Sequence, residues 1–125
     1  MSGDSLFIDT NIILYLLNGD ETLSNLLQGK KIYVSFISEL EVLGFRQLPK
    51  EGNEVILDFL KSCTIIDINQ QIKNKTVELR RQKIMKLPDC IVAATASSLN
   101  IPLVSADKGF NKWEEGLEFI LYSPE

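Results

Sequence analysis

Four acidic residues stand beside the short apolar runs of this chain. Asp9 follows residues 5–8, Glu41 lies shortly after residues 31–36, Asp89 opens a nearly all-apolar stretch, and Asp107 comes two residues after Ser105. Carboxylates brought together repel: two unit charges ~4 Å apart cost about 4 kcal/mol at an effective dielectric near 20. A hard divalent cation with oxygen ligands removes that conflict. It also lowers the pKa of its water and neutralises charge developing on a phosphate. The chain contains no histidine. That excludes Ser-His-Asp and Cys-His catalysis, His-ligated zinc and any imidazole base. Hydrolysis here would have to use carboxylates, Lys, Tyr or a metal-bound water.

Each acid also has a plainer role open to it. Asp9 can cap a helix. Ser38-Glu39-Leu40-Glu41 spells a capping box, in which Glu41 bonds back to the Ser38 amide. Pro88-Asp89 is a helix-opening pair, and Asp107-Lys108-Gly109 reads as a solvated turn. Capping alone gives no reason for the four to share one patch. Asp67, near the end of another apolar run, is a weaker candidate. Glu39 must face elsewhere on its helix than Glu41, and Glu114 and Glu115 read as a solvated loop.

The elements that would carry these acids follow from the apolar pattern. Residues 5–8 read as a buried strand, 12–18 as a helix closed by Gly19, and 21–28 as a second short helix ended by Gly29. A strand follows at 31–36, a helix at 38–47 stopped by Pro49, and more helix at 54–61. A third strand is expected at 64–68, a charged amphipathic helix at 70–83, an apolar helix at 89–99, a strand at 103–105 and an edge strand at 118–122. This alternation predicts an α/β fold, a three-layer α/β/α sandwich with a mostly parallel sheet. Ligands of such sheets collect beyond the carboxyl ends of the strands. Only Asn100, Ile101 and Pro102 separate the apolar helix from the next strand. The helix must therefore run down to the bottom edge of the sheet, which puts Asp89 at the top edge. Ala93, Ala94 and Ala96 let it press close, with Ile91, Val92 and Leu99 filling the remaining contacts.

The chain has 125 residues, 45% of them hydrophobic and 24% charged. That suits one domain over 1–125 with a real core. Its net charge of −4 argues against holding nucleic acid by bulk electrostatics, an objection that a cation-loaded site escapes. Cys63 and Cys90 match no metal or redox spacing and read as buried thiols in a reducing compartment. No signal peptide or membrane span is visible, so the expected location is the cytoplasm.

Four motifs in order carry a resemblance: Phe7-Ile8-Asp9-Thr10-Asn11, Ser35 through Gly44 with Glu41 inside it, Leu87-Pro88-Asp89-Cys90-Ile91-Val92-Ala93-Ala94-Thr95-Ala96, and Leu103-Val104-Ser105-Ala106-Asp107. Together they resemble the PIN-domain nucleases, and within them the VapC-like ribonuclease toxins. The resemblance implies a divalent-metal-dependent endoribonuclease with Mg²⁺ or Mn²⁺ held by Asp9, Glu41, Asp89 and Asp107. It also implies single-stranded or structured RNA as substrate, dimerisation and a paired antitoxin. Asn11, Ser38 and Ser105 would position water or phosphate. Arg80, Arg81, Lys83 and Lys86 approach Asp89 in sequence and are candidate RNA-backbone contacts, the alternative being a solvated helix face. Ile13, Leu16, Leu17 and Leu27 are candidates for an antitoxin or homodimer surface, the alternative being ordinary core. Two rivals remain. A receiver-like phosphoacceptor domain would use Asp67, but it wants paired acids after the first strand and a Lys-Pro late in the chain, where Lys108 precedes Gly109. A catalytically idle binding module on the same fold is the other.

Overall fold

The computed structural model describes residues 4–44 and 50–124. Its sheet has five strands: β1 (Ser5–Ile8), β2 (Lys31–Ser35), β3 (Thr64–Ile66), β4 (Leu103–Ser105) and β5 (Phe119–Leu121). They lie in the order β3-β2-β1-β4-β5, and every pairing is parallel. The chain thus builds outward from β1 in one direction, then returns to its other side. The reversal between β1 and β4 leaves a crevice beyond their carboxyl ends.

Side chains alternate across the sheet, as strand geometry requires. Phe7 faces one layer, where α5 (Gln70–Arg81) and α6 (Leu87–Leu99) cover it with Ile72, Leu79, Val92 and Ala93. Leu6 and Ile8 face the other, beneath α1 (Thr10–Leu17), α2 (Glu21–Leu27), α3 (Phe36–Leu43) and α4 (Lys50–Lys61). The result is the expected three-layer sandwich. In α6 the small residues allow the close approach: Ala93, Ala94 and Ala96 are all fully buried, whereas Leu99 is 39% exposed and not the core contact expected of it. Gly19 and Gly29 follow α1 and α2 at φ +89° and +78°, a backbone region that side chains disfavour.

The chief departure at the site concerns α3. It starts at Phe36, two residues before the expected start, because Ser35 closes β2 and caps the helix, its hydroxyl accepting from the Ile37 amide at 3.1 Å. Ser38 therefore lies inside the helix and no capping box forms there. The described part of α3 ends at Leu43; the rest of the expected helix and Pro49 fall outside the described residues. α6 likewise starts at Leu87, placing Asp89 in its first turn, not at its first position. No helix among the described residues is long and apolar enough to cross a membrane.

Candidate active site

The crevice between β1 and β4 is built from the residues that end those strands. Asp9 leaves β1 in extended conformation and caps α1, one carboxylate oxygen accepting from the Thr10 amide at 2.8 Å. Its other oxygen accepts from the Ser105 hydroxyl at 2.8 Å. Asn11 joins the same group, donating to Ser105 Oγ at 3.2 Å and accepting from the Ala106 amide at 3.1 Å. The Asp107 amide donates to Ser105 Oγ at 3.1 Å, and the Asp107 carboxylate accepts from the Gly109 amide at 2.8 Å. The plainer capping and turn roles of Asp9 and Asp107 are thus real, and they fix both acids at this edge.

Glu41 reaches the edge from α3. It does not bond back to the Ser38 amide; its carboxylate accepts from the Thr10 hydroxyl at 2.6 Å. Thr10 is a site residue that sequence reading missed, although its place between Asp9 and Asn11 was the available signal. Asp89 comes from the opposite layer, half-buried at the top of α6.

The electrostatics tie the four acids together. Burial, followed by the charges of Asp9, Asp107 and Glu41, pushes the Asp89 carboxyl up to about 6, with Lys86 opposing. Burial also raises Asp9; hydrogen bonds from Ser105 and Thr10 pull it down, and the charges of Glu41 and Asp107 push it up again. Asp89 thus feels the charges of all three other acids, and Asp9 those of Glu41 and Asp107.

Ser38 is fully buried, one turn before Glu41 on the same helix, and its hydroxyl has no hydrogen-bond partner. It makes no hydrogen bond to the acids, so no bond of the positioning kind expected of it is present. Arg81 and Lys83 are exposed, and Lys86 acts on Asp89 through charge. Arg80 instead donates to the Met85 carbonyl at 2.7 Å. Asp67 lies outside the group: it is exposed at the end of edge strand β3 and accepts from the neighbouring Ile68 amide.

The donor set suits a hard divalent cation, since Asp9, Glu41, Asp89, Asn11 and Asp107 offer only oxygen or amide groups. Among the described residues no three acids stand together as a ready-made metal cage. Glu41 and Asp107, which are exposed, hold other partners in this arrangement. The fit to a cation therefore rests on charge and donor chemistry.

The PIN domain family matches residues 6–115 of the chain. Among solved structures, a toxin-antitoxin complex from Klebsiella pneumoniae contains a chain 27% identical, with TM-score 0.81, covering 96% of this chain and 99% of that one. VapBC2 from Rickettsia felis, bound to a DNA fragment from its promoter, is 27% identical with TM-score 0.79, covering 95% and 99%. VapBC-1 from nontypeable Haemophilus influenzae is similar in fold, with 23% identity, TM-score 0.75 and coverage of 94% and 97%. No curated relative matches the chain.

Proposed function

The chain belongs to the PIN domain family, and from that premise we propose that it is a divalent-metal-dependent endoribonuclease acting as the toxin of a toxin-antitoxin pair. The observation that carries the reading is geometric: Asp9 and Asp107 follow β1 and β4 on either side of the strand-order reversal and are joined through the Ser105 hydroxyl, with Glu41 tied in through Thr10 and Asp89 within reach of their charges. A fold has no use for four mutually repelling carboxylates there unless a cation compensates them.

Asp9, Glu41, Asp89 and Asp107 would hold Mg²⁺ or Mn²⁺. Such an ion, when bound, supplies Lewis acidity and an acidified water for attack on a phosphodiester. The chain's own contribution is placement. Ser105 fixes Oδ2 of Asp9, and Asn11 ties Ser105 to the Ala106 backbone. Thr10 orients Glu41. Lys86, whose charge reaches Asp89, and exposed Arg81 and Lys83 would meet the RNA backbone.

The partner half of the proposal draws on the neighbours, which are toxin-antitoxin complexes. An acidic edge attracts an Arg or Lys from another chain as it attracts a cation. Of the residues the sequence offered for such a partner, Ile13 and Leu27 are buried in the core, and Leu16 and Leu17 are partly buried against it. Leu40, Leu43, Val55 and Leu57 on α3 and α4 are instead 58%, 37%, 55% and 40% exposed. Homodimerisation, on the resemblance, and the cytoplasmic location expected from the sequence complete the proposal.

The test is cleavage of mixed RNA with Mg²⁺ or Mn²⁺, with and without chelator. Wild type should cleave, chelator should stop it, and Asp89→Asn should lose on the order of 10²-fold or more while keeping its circular dichroism spectrum. Equal activity of Asp89→Asn and wild type, in preparations free of contaminating ribonuclease, would sink the site. Asp67→Asn should leave cleavage unchanged.

A further inference from the structure

Asp89 depends on the turn that delivers it. α5 ends at Arg81, Lys83 takes φ +58°, and α6 begins at Leu87. A helix start leaves several amides without partners and is usually fixed by a capping side chain. Here the capping position is Lys86, which makes no side-chain cap bond, and Pro88 follows in the first turn with no N–H to offer. The direction in which α6 leaves the turn must be fixed some other way.

Two side chains converge on one carbonyl in this turn. Arg80 Nη1 donates to Met85 O at 2.7 Å, and Cys90 Sγ donates to the same oxygen at 3.5 Å. Arg80 belongs to the last turn of α5, and Cys90 follows Asp89 in chain order. Met85 is itself buried, 8% exposed, and packs in the core, which anchors the turn that carries this carbonyl. The charged donor makes the Arg80 bond the stronger of the two.

We propose that Arg80 is a positioning residue for Asp89: by holding the Met85 carbonyl it straps the end of α5 to the start of α6 and sets where the Asp89 carboxylate meets the other acids. This rests on the metal-dependent nuclease reading and replaces the RNA-backbone contact expected of Arg80. A guanidinium engaged on a backbone carbonyl has less to give a phosphate. Its planar fork also holds a fixed direction that a lysine ammonium does not. Groups that orient a metal ligand typically change metal affinity about 10–100-fold when removed.

The experiment compares wild type with Arg80→Met and Arg80→Lys, at temperatures where all three are folded by circular dichroism. Three quantities are read: Mn²⁺ affinity by calorimetry without RNA, kcat and KM on a single-stranded RNA, and the salt dependence of RNA binding in chelator. Arg80→Met should weaken Mn²⁺ binding about tenfold or more and lower kcat, leaving KM and the salt slope as in wild type. Arg80→Lys keeps the charge but not the fork, and should recover only part of the Mn²⁺ affinity. An RNA-contact role predicts the reverse: unchanged Mn²⁺ affinity, raised KM and, for Arg80→Met, a salt slope shallower by about one. That result would overturn the proposal, as would two variants that match wild type throughout. If Arg80→Met does not fold, Arg80→Lys decides alone, since undiminished Mn²⁺ affinity in it overturns the role. Wild type that neither binds Mn²⁺ nor cleaves RNA would overturn the nuclease reading and this inference with it, a result distinct from failure of Arg80 alone.

Discussion

The Ser105 hydroxyl donates to Asp9 Oδ2 at 2.8 Å, joining residues 96 positions apart across the β1–β4 boundary. Both are buried, so the bond holds the Asp9 carboxylate in one orientation and favours its charged form. Ser105→Ala removes it. The Asp9 carboxyl should then titrate higher than in wild type, and the acid limb of the cleavage profile should move to higher pH. Losing one buried charged hydrogen bond should cost about 1–3 kcal/mol of stability. A pH–rate profile and a thermal melt check both. Ser105→Thr, which keeps the hydroxyl, should behave closer to wild type.

Asp89 sets up an opposition between stability and site chemistry. Its folded-state pKa, about 6, lies above the unfolded value of about 3.9. Between those values the native protein holds a proton that the unfolded chain has released. Stability of the metal-free protein should therefore fall as pH rises from about 4 to about 6, with the full penalty present above that window. Allowing for screening at this half-buried position, the penalty is on the order of 1–2 kcal/mol. In chelator, wild type should melt higher at pH 5 than at pH 7. Asp89→Asn should flatten that slope and melt above wild type at pH 7, although it loses cleavage.

Cation binding should reverse the penalty. An ion that binds only the folded form raises its stability, by about 2.7 kcal/mol at a hundredfold excess over Kd. Mn²⁺ should raise the melting temperature of wild type at pH 7, and Asp9→Asn should blunt the gain. An unchanged melting temperature at directly measured saturation would count against a metal site at these acids.

Lys83 carries a local cost at the turn before α6. Its φ of +58° is a left-handed conformation that costs a side-chain-bearing residue about 1–2 kcal/mol, against about 0.5–1 kcal/mol of extra chain entropy lost by glycine. Lys83→Gly should thus gain roughly 0.5 kcal/mol, read as a small rise in melting temperature. A clear fall would mean that the lysine side chain contributes more than the backbone loses.

Much of this arrangement was legible from the chain, because the strands are short apolar runs, Asp9 and Asp107 follow two of them closely, and Glu41 and Asp89 lie on helices whose direction the strands fix. The three-layer α/β/α order and the position of Asp89 at the sheet's top edge followed from helix and linker lengths. What was not legible turned on choices between near neighbours. Ser35 and Ser38 both look like caps, and only the end of β2 decides that Ser35 is the one. Arg80 looks like its neighbours Arg81 and Lys83 in sequence, yet the turn gives it a carbonyl to hold. Leu27 of α2 looks like Leu57 of α4, yet only Leu27 is buried; which leucine is covered depends on how four helices share one sheet face.

The exposed apolar residues of α3 and α4 give the last prediction. Leu43 and Leu57 line one cleft of about 260 Å³ with Leu60 and Ile65, and Leu40 and Val55 are exposed on the same two helices. Leu57 is 40% exposed, so Leu57→Asp should change folding stability little, within about 1 kcal/mol. The same change in the middle of an interface would bury an unpaired charge and cost about 2 kcal/mol or more of binding, roughly a thirtyfold loss. Under the toxin reading, a protein partner encoded beside this chain should bind wild type and block cleavage. Against Leu57→Asp it should bind more weakly by that factor, while RNA cleavage by the isolated variant stays at the wild-type rate. Pull-down affinity and RNA cleavage, measured on the same preparations, separate the two effects. A partner that inhibits both proteins equally would place its contact elsewhere on the molecule.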